Sequence, residues 1–411
     1  MKNRVVVTGL GVCAANGIGI AEFWQSLIDG KSGIGSITRF DASMLGSQIA
    51  GEVKGFDPAR HLEFPVKKHR MSRQTQLALA STRMALEDAK IDPKEWKSDI
   101  AIPVMIGVSS SAFDIIEHGN DMIKEKGPAH NTPFLTNVAI PQGTANTICE
   151  YLGLNTQALT LSTACAAGLD AVGLAAALIR SGQAEMAIAG GADAPVVSSF
   201  FSSFDVAGLS STHNTDPTKA SRPFDLHRDS GVIAEGSGIV ILEDLEHALA
   251  RGVDPYLEVT GYATHMDLDV KKPASGFENT MKMALAHAGR SPADVDYVCA
   301  HGPGHPVIDR VETEMIKRVF GKRAYQIPVS SIKGVIGNPF AAAGPMQLIA
   351  CALATRHRMI PQTANYETFD PDCDLDYVPG ASRTASISCA MINIHGIGGA
   401  NSSLVVERIR H

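Results

Sequence analysis

The 411-residue sequence predicts an α/β protein of stacked sheets and helices, and three observations carry that expectation. Strand-like apolar runs alternate with helical ones from the first residue, the pattern of parallel or mixed sheets covered by helices. A recurring order of strand, polar turn and Ala-rich helix divides the chain into two related halves, residues 1–252 and 253–411. Thirty-eight glycines and 45% hydrophobic residues, against 19% charged, suit close packing in a large core. No Pro-, Gly- or Ser-rich linker separates the halves, so they are expected to pack as one unit.

In order, Arg4 to Thr8 reads as a strand and Gly9-Leu-Gly11 as a tight turn. Ile20 to Asp29 is helical. Arg73 to Lys90 places Leu77, Ala80, Met84 and Ala85 at helical spacing, and Ala101 to Val108 is a buried strand. A strand ends over Thr160 to Ser162, a very apolar helix covers Ala166 to Arg180, and a strand from Glu185 is closed by Gly190-Gly191. Residues 195–235, rich in Ser, Asp and Arg, read as a long functional loop region. In the second half, Tyr256 to Tyr262, Val295 to Cys299 and Ile327 to Ser330 are strand-like, and Asn279 to Ala288 and Ala341 to Ala354 helical. Met391 to His395 and Ser403 to Glu407 read as the last strands.

Composition narrows the function. A net charge of −7 provides no global basic field, so nucleic acid is not expected as a partner. Seven dispersed cysteines without a CxxC pair fit a reducing compartment and argue against disulfides or structural zinc, and the histidines lack metal-ligand spacing such as HExxH. The first residues lack the signature of a signal peptide, and the longest apolar stretch, near Leu169 to Ile179, is too short to span a bilayer. A cytoplasmic protein is expected. Gly9-Leu-Gly11-Val-Cys-Ala14 matches a dinucleotide fingerprint after a strand, but the ribose-binding acid expected about 20 residues on has no convincing candidate.

One motif carries chemistry. Leu161-Ser-Thr-Ala-Cys165-Ala-Ala-Gly168 sets a cysteine at a strand-to-helix turn among small residues. A thiol at a helix N-terminus meets the positive end of the macrodipole, which favours thiolate; a buried core cysteine is the plainer alternative. His301 follows a buried strand and is followed by Gly302, a place where structural histidines are also common. Lys333 and Asn338 lie in a glycine-punctuated loop before a helix, where a solvated charge and a helix N-cap are the plainer readings.

Taken together, these segments resemble the β-ketoacyl-acyl-carrier-protein synthases of the II type. The resemblance rests on Val5 to Gly11, Ser162 to Gly168, Ala189 to Asp193, Ala220 to Asp225 with Arg228 and Asp229, Ala300 to Gly302, Val329 to Lys333 and Gly396 to Asn401. The motifs keep the family's order and spacing along nearly the whole chain. The resemblance implies a thiolase-type five-layered α-β-α-β-α fold and usually a homodimer, with a heterodimer as the alternative. It implies that Cys165 accepts the acyl group and that the N–H groups of Cys165 and Ile397 form an oxyanion hole. His301 and Asn338 would hold the extender thioester, and Lys333 would order the network behind them. Substrates would ride on the phosphopantetheine of an acyl carrier protein, with no bound cofactor or metal.

The sequence also departs from that pattern. Asn338 stands where the family has a second histidine, and an amide cannot exchange a proton near neutral pH. Pro303-Gly304-His305 replaces the hydroxyl-rich stretch that contacts the pantetheine arm; His305 is either a substitute donor or a loop residue. Ile397 replaces a phenylalanine gate, with His395 two residues earlier. Gln347 replaces a glutamate, leaving Asp309 and Glu312 as possible partners for Lys333. Ile397, Phe134 and Phe201 are expected to shape the acyl pocket. Lys67, Lys68, Arg70 and Arg73 form a basic cluster suited to docking an acidic carrier helix, or simply a solvated helix start.

These features predict a decarboxylative condensing enzyme in specialised fatty-acid or polyketide synthesis. A non-decarboxylating acyltransferase using the same acyl-Cys165 is one alternative, and a non-catalytic chain-length partner subunit is another.

Overall fold

The computed structural model describes residues 3–62, 70–93, 102–269 and 271–410. Ten strands position the site. They are β1 (Val5–Ala14), β2 (Val104–Gly107), β3 (Ala158–Leu161), β4 (Met186–Asp193), β5 (Gly236–Asp244), β6 (Leu257–Met266), β7 (Tyr297–Cys299), β8 (Val329–Ser330), β9 (Cys389–Gly396) and β10 (Ala400–Glu407). They form one hydrogen-bonded path of ten strands, and the two-residue strand Gly17–Ile18, paired to the end of β1 off that path, makes the sheet eleven-stranded.

That path falls into two five-stranded sets of the same design. The first runs β3-β2-β4-β5-β1 and the second β8-β7-β9-β10-β6. In each set the first three strands are parallel and the last two antiparallel to their neighbours. Among the described residues, the sets are joined strand to strand only where β1 pairs with β6, through Val6↔Glu258 and Val7↔Leu257.

Helices sandwich both sets. They are α1 (Ile20–Asp29), α2 (Arg73–Asp88), α3 (Phe113–Lys126), α4 (Gly143–Leu152), α5 (Ala167–Arg180), α6 (Ser198–Val206), α7 (Phe277–Ala288), α8 (Pro306–Phe320) and α9 (Ala343–His357). Helices α5 and α9 lie between the sets and touch both, α2 and α4 cover the outer face of the first, and α7 packs on the outer face of the second beside α8. This is the five-layered α-β-α-β-α arrangement.

Strand alternation explains the layers. In β5, Val240 and Leu242 face the central core and Ile239 and Ile241 the outer one; in β9, Ala390, Ile392 and Ile394 face the centre and Cys389 and Met391 the outside. Strands buried on both faces must be apolar throughout, which is why they read as continuous runs in the sequence.

Two glycine readings are corrected. Gly9 and Gly11 are not in a turn: β1 runs through them with a bulge between Val7 and Gly9. A Cβ on Gly9 would lie 2.1 Å from the Ala85 carbonyl oxygen and one on Gly11 1.8 Å from that of Ser81, so α2 presses directly on the strand. Gly190-Gly191 likewise does not end its strand, which continues to Asp193; a Cβ on Gly191 would lie 2.3 Å from the Ala341 carbonyl oxygen. Residues 195–235 are mostly loop, but α6 lies within them.

Candidate active site

The site begins at the strand-to-helix junction after β3. Cys165 immediately precedes Ala166, the N-cap of α5, and Ala164 before it adopts φ +52°. That left-handed conformation costs an L-residue about 1–2 kcal/mol and persists because the elbow is tied down on both sides. Thr163 donates its hydroxyl to Asp170 in the first turn of α5, and Asp170 also accepts from Tyr262 at 2.9 Å and from Ser402 in the second half. The glycine loop after β9 closes over the elbow: a Cβ on Gly396 would lie 2.7 Å from the Thr163 carbonyl oxygen and 3.2 Å from the Cys165 nitrogen. As a result, the N–H groups of Ile397 and of Cys165 itself both favour the anionic form of the Cys165 thiol. The Ile397 side chain is 52% exposed.

The thiol does not behave as a helix-start thiol was expected to. Burial pushes it up to about 11, outweighing the opposing charge of Lys333 and the two N–H groups. With Cys165 2% exposed and no cation in direct contact among the described residues, desolvation of the anion dominates. The resting group is a protonated thiol.

Lys333 is not a solvated loop charge. It is fully buried at the start of a single helical turn, Lys333–Ile336. Its Nζ donates to the His301 carbonyl oxygen and lies 3.3 Å from His301 Nδ1. An ammonium can only donate, so Nδ1 is the acceptor and the His301 proton sits on Nε2. Burial pulls Lys333 down to about 8, with Glu312 the strongest opposing charge. Burial first, then Lys333, holds His301 well below the usual imidazole range, so it is neutral.

Glu312 on α8 accepts the backbone N–H groups of His301 at 2.9 Å and Gly302 at 2.8 Å. It is therefore the carboxylate that faces Lys333. Asp309, the other sequence candidate, is engaged elsewhere: it accepts from Phe224 N–H at 2.8 Å and lies 3.7 Å from Arg228. Gln347 donates to the carbonyls of Cys299, Ala300 and Asn393, stapling the ends of β7 and β9 behind the site. His305 caps α8, its Nδ1 accepting from Val307 and Ile308 N–H, so it is a loop-to-helix residue.

Asn338 reaches the same region by a separate route. Its backbone pairs with Val232 and Ala234, and the following loop packs on the elbow helix, where a Cβ on Gly168 would lie 2.0 Å from the Ala341 carbonyl oxygen. Asn338 does not cap α9, whose N-cap is Ala342. Its Oδ1 is buried and carries no hydrogen bond. An orphaned buried amide oxygen is costly unless something else meets it. Asp193, at the end of β4, accepts from Ser109, Ser110 and Ala341 and so fixes this loop to the first sheet.

The remaining sequence candidates scatter. Phe201 is wholly buried in the core, edge-on to Phe40. Its helix neighbours Phe200 and Phe204 stack on each other and both meet Phe340 edge-on, an aromatic group beside the Asn338 loop that the sequence did not announce. Phe134 lies under Arg70, whose guanidinium is 4.1 Å from the ring centroid. Lys67 and Lys68 lie outside the described residues. Arg73 does not belong with a docking surface: its guanidinium forms a two-pronged pair with Glu235 at 2.8 and 2.7 Å, and the Glu235 side chain is fully buried. That charge is neutralised inside the protein.

Among the described residues, no group of three or more His, Cys, Asp and Glu side chains is arranged to hold a metal ion, and no helix is long and apolar enough to cross a membrane. All seven cysteines are free and buried.

Known proteins share this architecture. Residues 2–248 match the N-terminal domain family of the β-ketoacyl synthases and residues 256–367 their C-terminal domain family. A 3-oxoacyl-[acyl-carrier-protein] synthase 2 from Synechocystis is 39% identical, over 99% of this chain and 98% of that protein. The tetracenomycin polyketide synthase ketoacyl synthase alpha subunit of Streptomyces glaucescens is 38% identical, over 99% of this chain and 97% of its own. The solved ishigamide ketosynthase/chain length factor superposes with a TM-score of 0.93 at 33% identity, over all of both chains. The chain belongs to the β-ketoacyl synthase family, and is a condensing acyltransferase of that class.

Proposed function

We propose that the chain is a specialised 3-oxoacyl-carrier-protein synthase in which Cys165 carries the growing acyl group. The observation that supports this reading best is the cysteine elbow itself: the Gly396-Ile397 loop closes on Cys165, with a Cβ on Gly396 falling 3.2 Å from the Cys165 nitrogen, and the N–H groups of residues 165 and 397 both favour a negative charge there. Those donors suit the oxyanion that forms when a thioester carbonyl is attacked.

In this reading the Cys165 sulfur attacks an acyl thioester presented by a carrier protein, forming acyl-Cys165 and releasing the pantetheine thiol. A malonyl thioester then enters, and the His301 Nε2–H and the Asn338 amide stabilise the negative charge that develops on its oxygen as carbon dioxide leaves. The resulting enolate carbon attacks the acyl-Cys165 carbonyl; the C–S bond breaks, giving the 3-oxoacyl thioester and returning Cys165. Lys333 keeps His301 in the donor tautomer throughout. The two halves, 1–252 and 253–411, each supply part of the site: the nucleophile comes from the first, and His301, Lys333, Asn338 and Ile397 from the second.

Carrier docking at the exposed Arg70 fits the acidic surface of carrier proteins, which resemblance and relatives alike suggest as the partner. Retention of Cys165 weighs against a non-catalytic chain-length subunit. One rival keeps the same nucleophile: a transferase that loads Cys165 but does not decarboxylate, which fits an amide at 338 that cannot exchange a proton.

Incubation with acyl- and malonyl-carrier proteins separates these readings. Condensation predicts carbon dioxide release in step with a product two carbons longer. Acyl transfer without carbon dioxide would favour the transferase and overturn the condensing assignment.

A further inference from the structure

The glycine loop that covers Cys165 grows out of β9, and the last side chain before it is His395, on the strand face turned toward Phe277 and away from the central core. This imidazole is 4% exposed, stands edge-on to His301 with ring centroids 5.9 Å apart, and shares the Phe277 ring with it, at 6.2 Å from His395 and 6.4 Å from His301. Two buried imidazoles therefore face one another beside the elbow, although the residue at 338 is an amide.

Hydrogen bonding fixes the two rings in opposite tautomers. His395 Nδ1 lies 2.9 Å from Asn401 Oδ1, across the β9–β10 pairing that sets the two residues opposite each other. The Asn401 amide nitrogen donates to Asp267 Oδ1 at 2.8 Å, to Gly399 O at 3.0 Å and to His265 O at 3.3 Å, which identifies the other atom as its oxygen. His395 Nδ1 is thus the donor, and Nε2 keeps a lone pair and has no hydrogen-bond partner among the described residues. The buried Asp267 carboxylate lies 3.9 Å behind Nδ1 and would stabilise an imidazolium. His301 is the reverse: Lys333 occupies Nδ1, so its Nε2 presents a proton.

We propose that His395 is the proton acceptor of this site, taking the Cys165 thiol proton during acyl transfer and passing it to the departing pantetheine. As the S–H bond breaks, the proton moves to His395 Nε2 and the sulfur bonds to the acyl carbon. When the tetrahedral intermediate collapses, the C–S bond to pantetheine breaks and the imidazolium protonates that thiolate. Other groups here lack a free base: Lys333 is committed to His301, Asn338 does not exchange protons, and His305 Nδ1 is used in capping α8. In this proposal Cys165 is the nucleophile, His395 the base and the Asn401 oxygen the group that orients it; Gly396, the next residue along, is the one that closes on the Cys165 nitrogen.

The inference rests on Cys165 being the acylated residue, and its test separates the two. The rate of acyl transfer from acyl-carrier protein to Cys165 is followed by quenched-flow intact mass across pH 5–9, without malonyl substrate. The titratable groups facing the His395 ring are His301 across the site, His305 at the start of α8 and Asp267 behind Nδ1. His395→Phe, which preserves the packing on Phe277, is expected to slow acylation about a hundredfold and abolish its acidic limb. Adding Asn338→His to that variant returns an imidazole and is expected to restore at least about tenfold of the loss. Asp267→Asn removes the charge that favours the imidazolium, so the acidic limb moves to lower pH. Wild-type protein that never acylates at Cys165 would remove the reading underneath. Normal wild-type acylation with His395→Phe within threefold of it would overturn this proposal alone. If His395→Phe does not fold, an unshifted limb in Asp267→Asn overturns it.

Discussion

Replacing Lys333 by methionine is expected to leave a folded protein whose elongation rate is at least about a hundredfold lower. The side chain holds His301 by its carbonyl and Nδ1, and without it the imidazole is free to place its proton on the wrong nitrogen. The fold should survive, because methionine fills much of the same buried volume and removes the cost of desolvating an ammonium. The pH dependence adds a sharper test. Burial lowers the folded-state value from 10.5 to about 8, so between those limits the unfolded chain holds a proton the folded chain has released. Folded stability from this group therefore rises as pH rises from 8 to 10.5, by on the order of 3 kcal/mol. Wild-type and Lys333→Met denaturation curves, compared at pH 7 and pH 10, should diverge in favour of wild type. Parallel curves, or a variant with activity within threefold of wild type, would remove Lys333 from this role.

Arg73→Met is expected to destabilise the fold by about 3–5 kcal/mol, because it strands the Glu235 carboxylate without its cation. That carboxylate also accepts Val53 N–H at 2.9 Å, so it links three separate segments of the first half. The double variant Arg73→Met with Glu235→Gln should recover a large part of the loss, since the stranded charge is removed with its partner. Denaturant unfolding of the wild type and the two variants measures this. A docking role would give the opposite pattern, with unchanged stability and a raised Michaelis constant for carrier-borne substrate only.

The contrast between these two residues shows what the sequence could convey. Lys333 was found because its loop motif is local and continuous. Arg73 was misplaced because its partner lies 162 positions away, and a short run of basic residues looks the same whether it is solvated or internally paired. Secondary structure was legible where burial on both faces makes whole runs apolar, as in β4 and β9, yet β5 was missed despite its run from Ile239 to Leu242. It failed at Gly9, Gly11, Gly190 and Gly191, where glycine marks a helix or loop pressed against a strand rather than a bend. Helix α6 was hidden by serines, although Phe200 and Phe204 at helical spacing were the available signal. The thiol shift was misjudged because the helix start was visible and the depth of burial was not.

The active site was legible as a set of motifs, and its wiring was not. Glu312 stood among two candidates until its bonds to His301 and Gly302 singled it out. His395 had a faint signature of its own: with Asn393 it forms a polar pair two residues apart in an otherwise apolar strand, facing away from the central core.

Intact mass after exposure to acyl-carrier protein bears most directly on the whole account. The protein is expected to gain the mass of one acyl group, mapped to the peptide bearing Cys165, and to lose it when malonyl-carrier protein is added; Cys165→Ala should gain nothing. A protein that stays unmodified, or carries the group on any of its other six cysteines, would contradict the assignment of Cys165 as the residue that holds the chain.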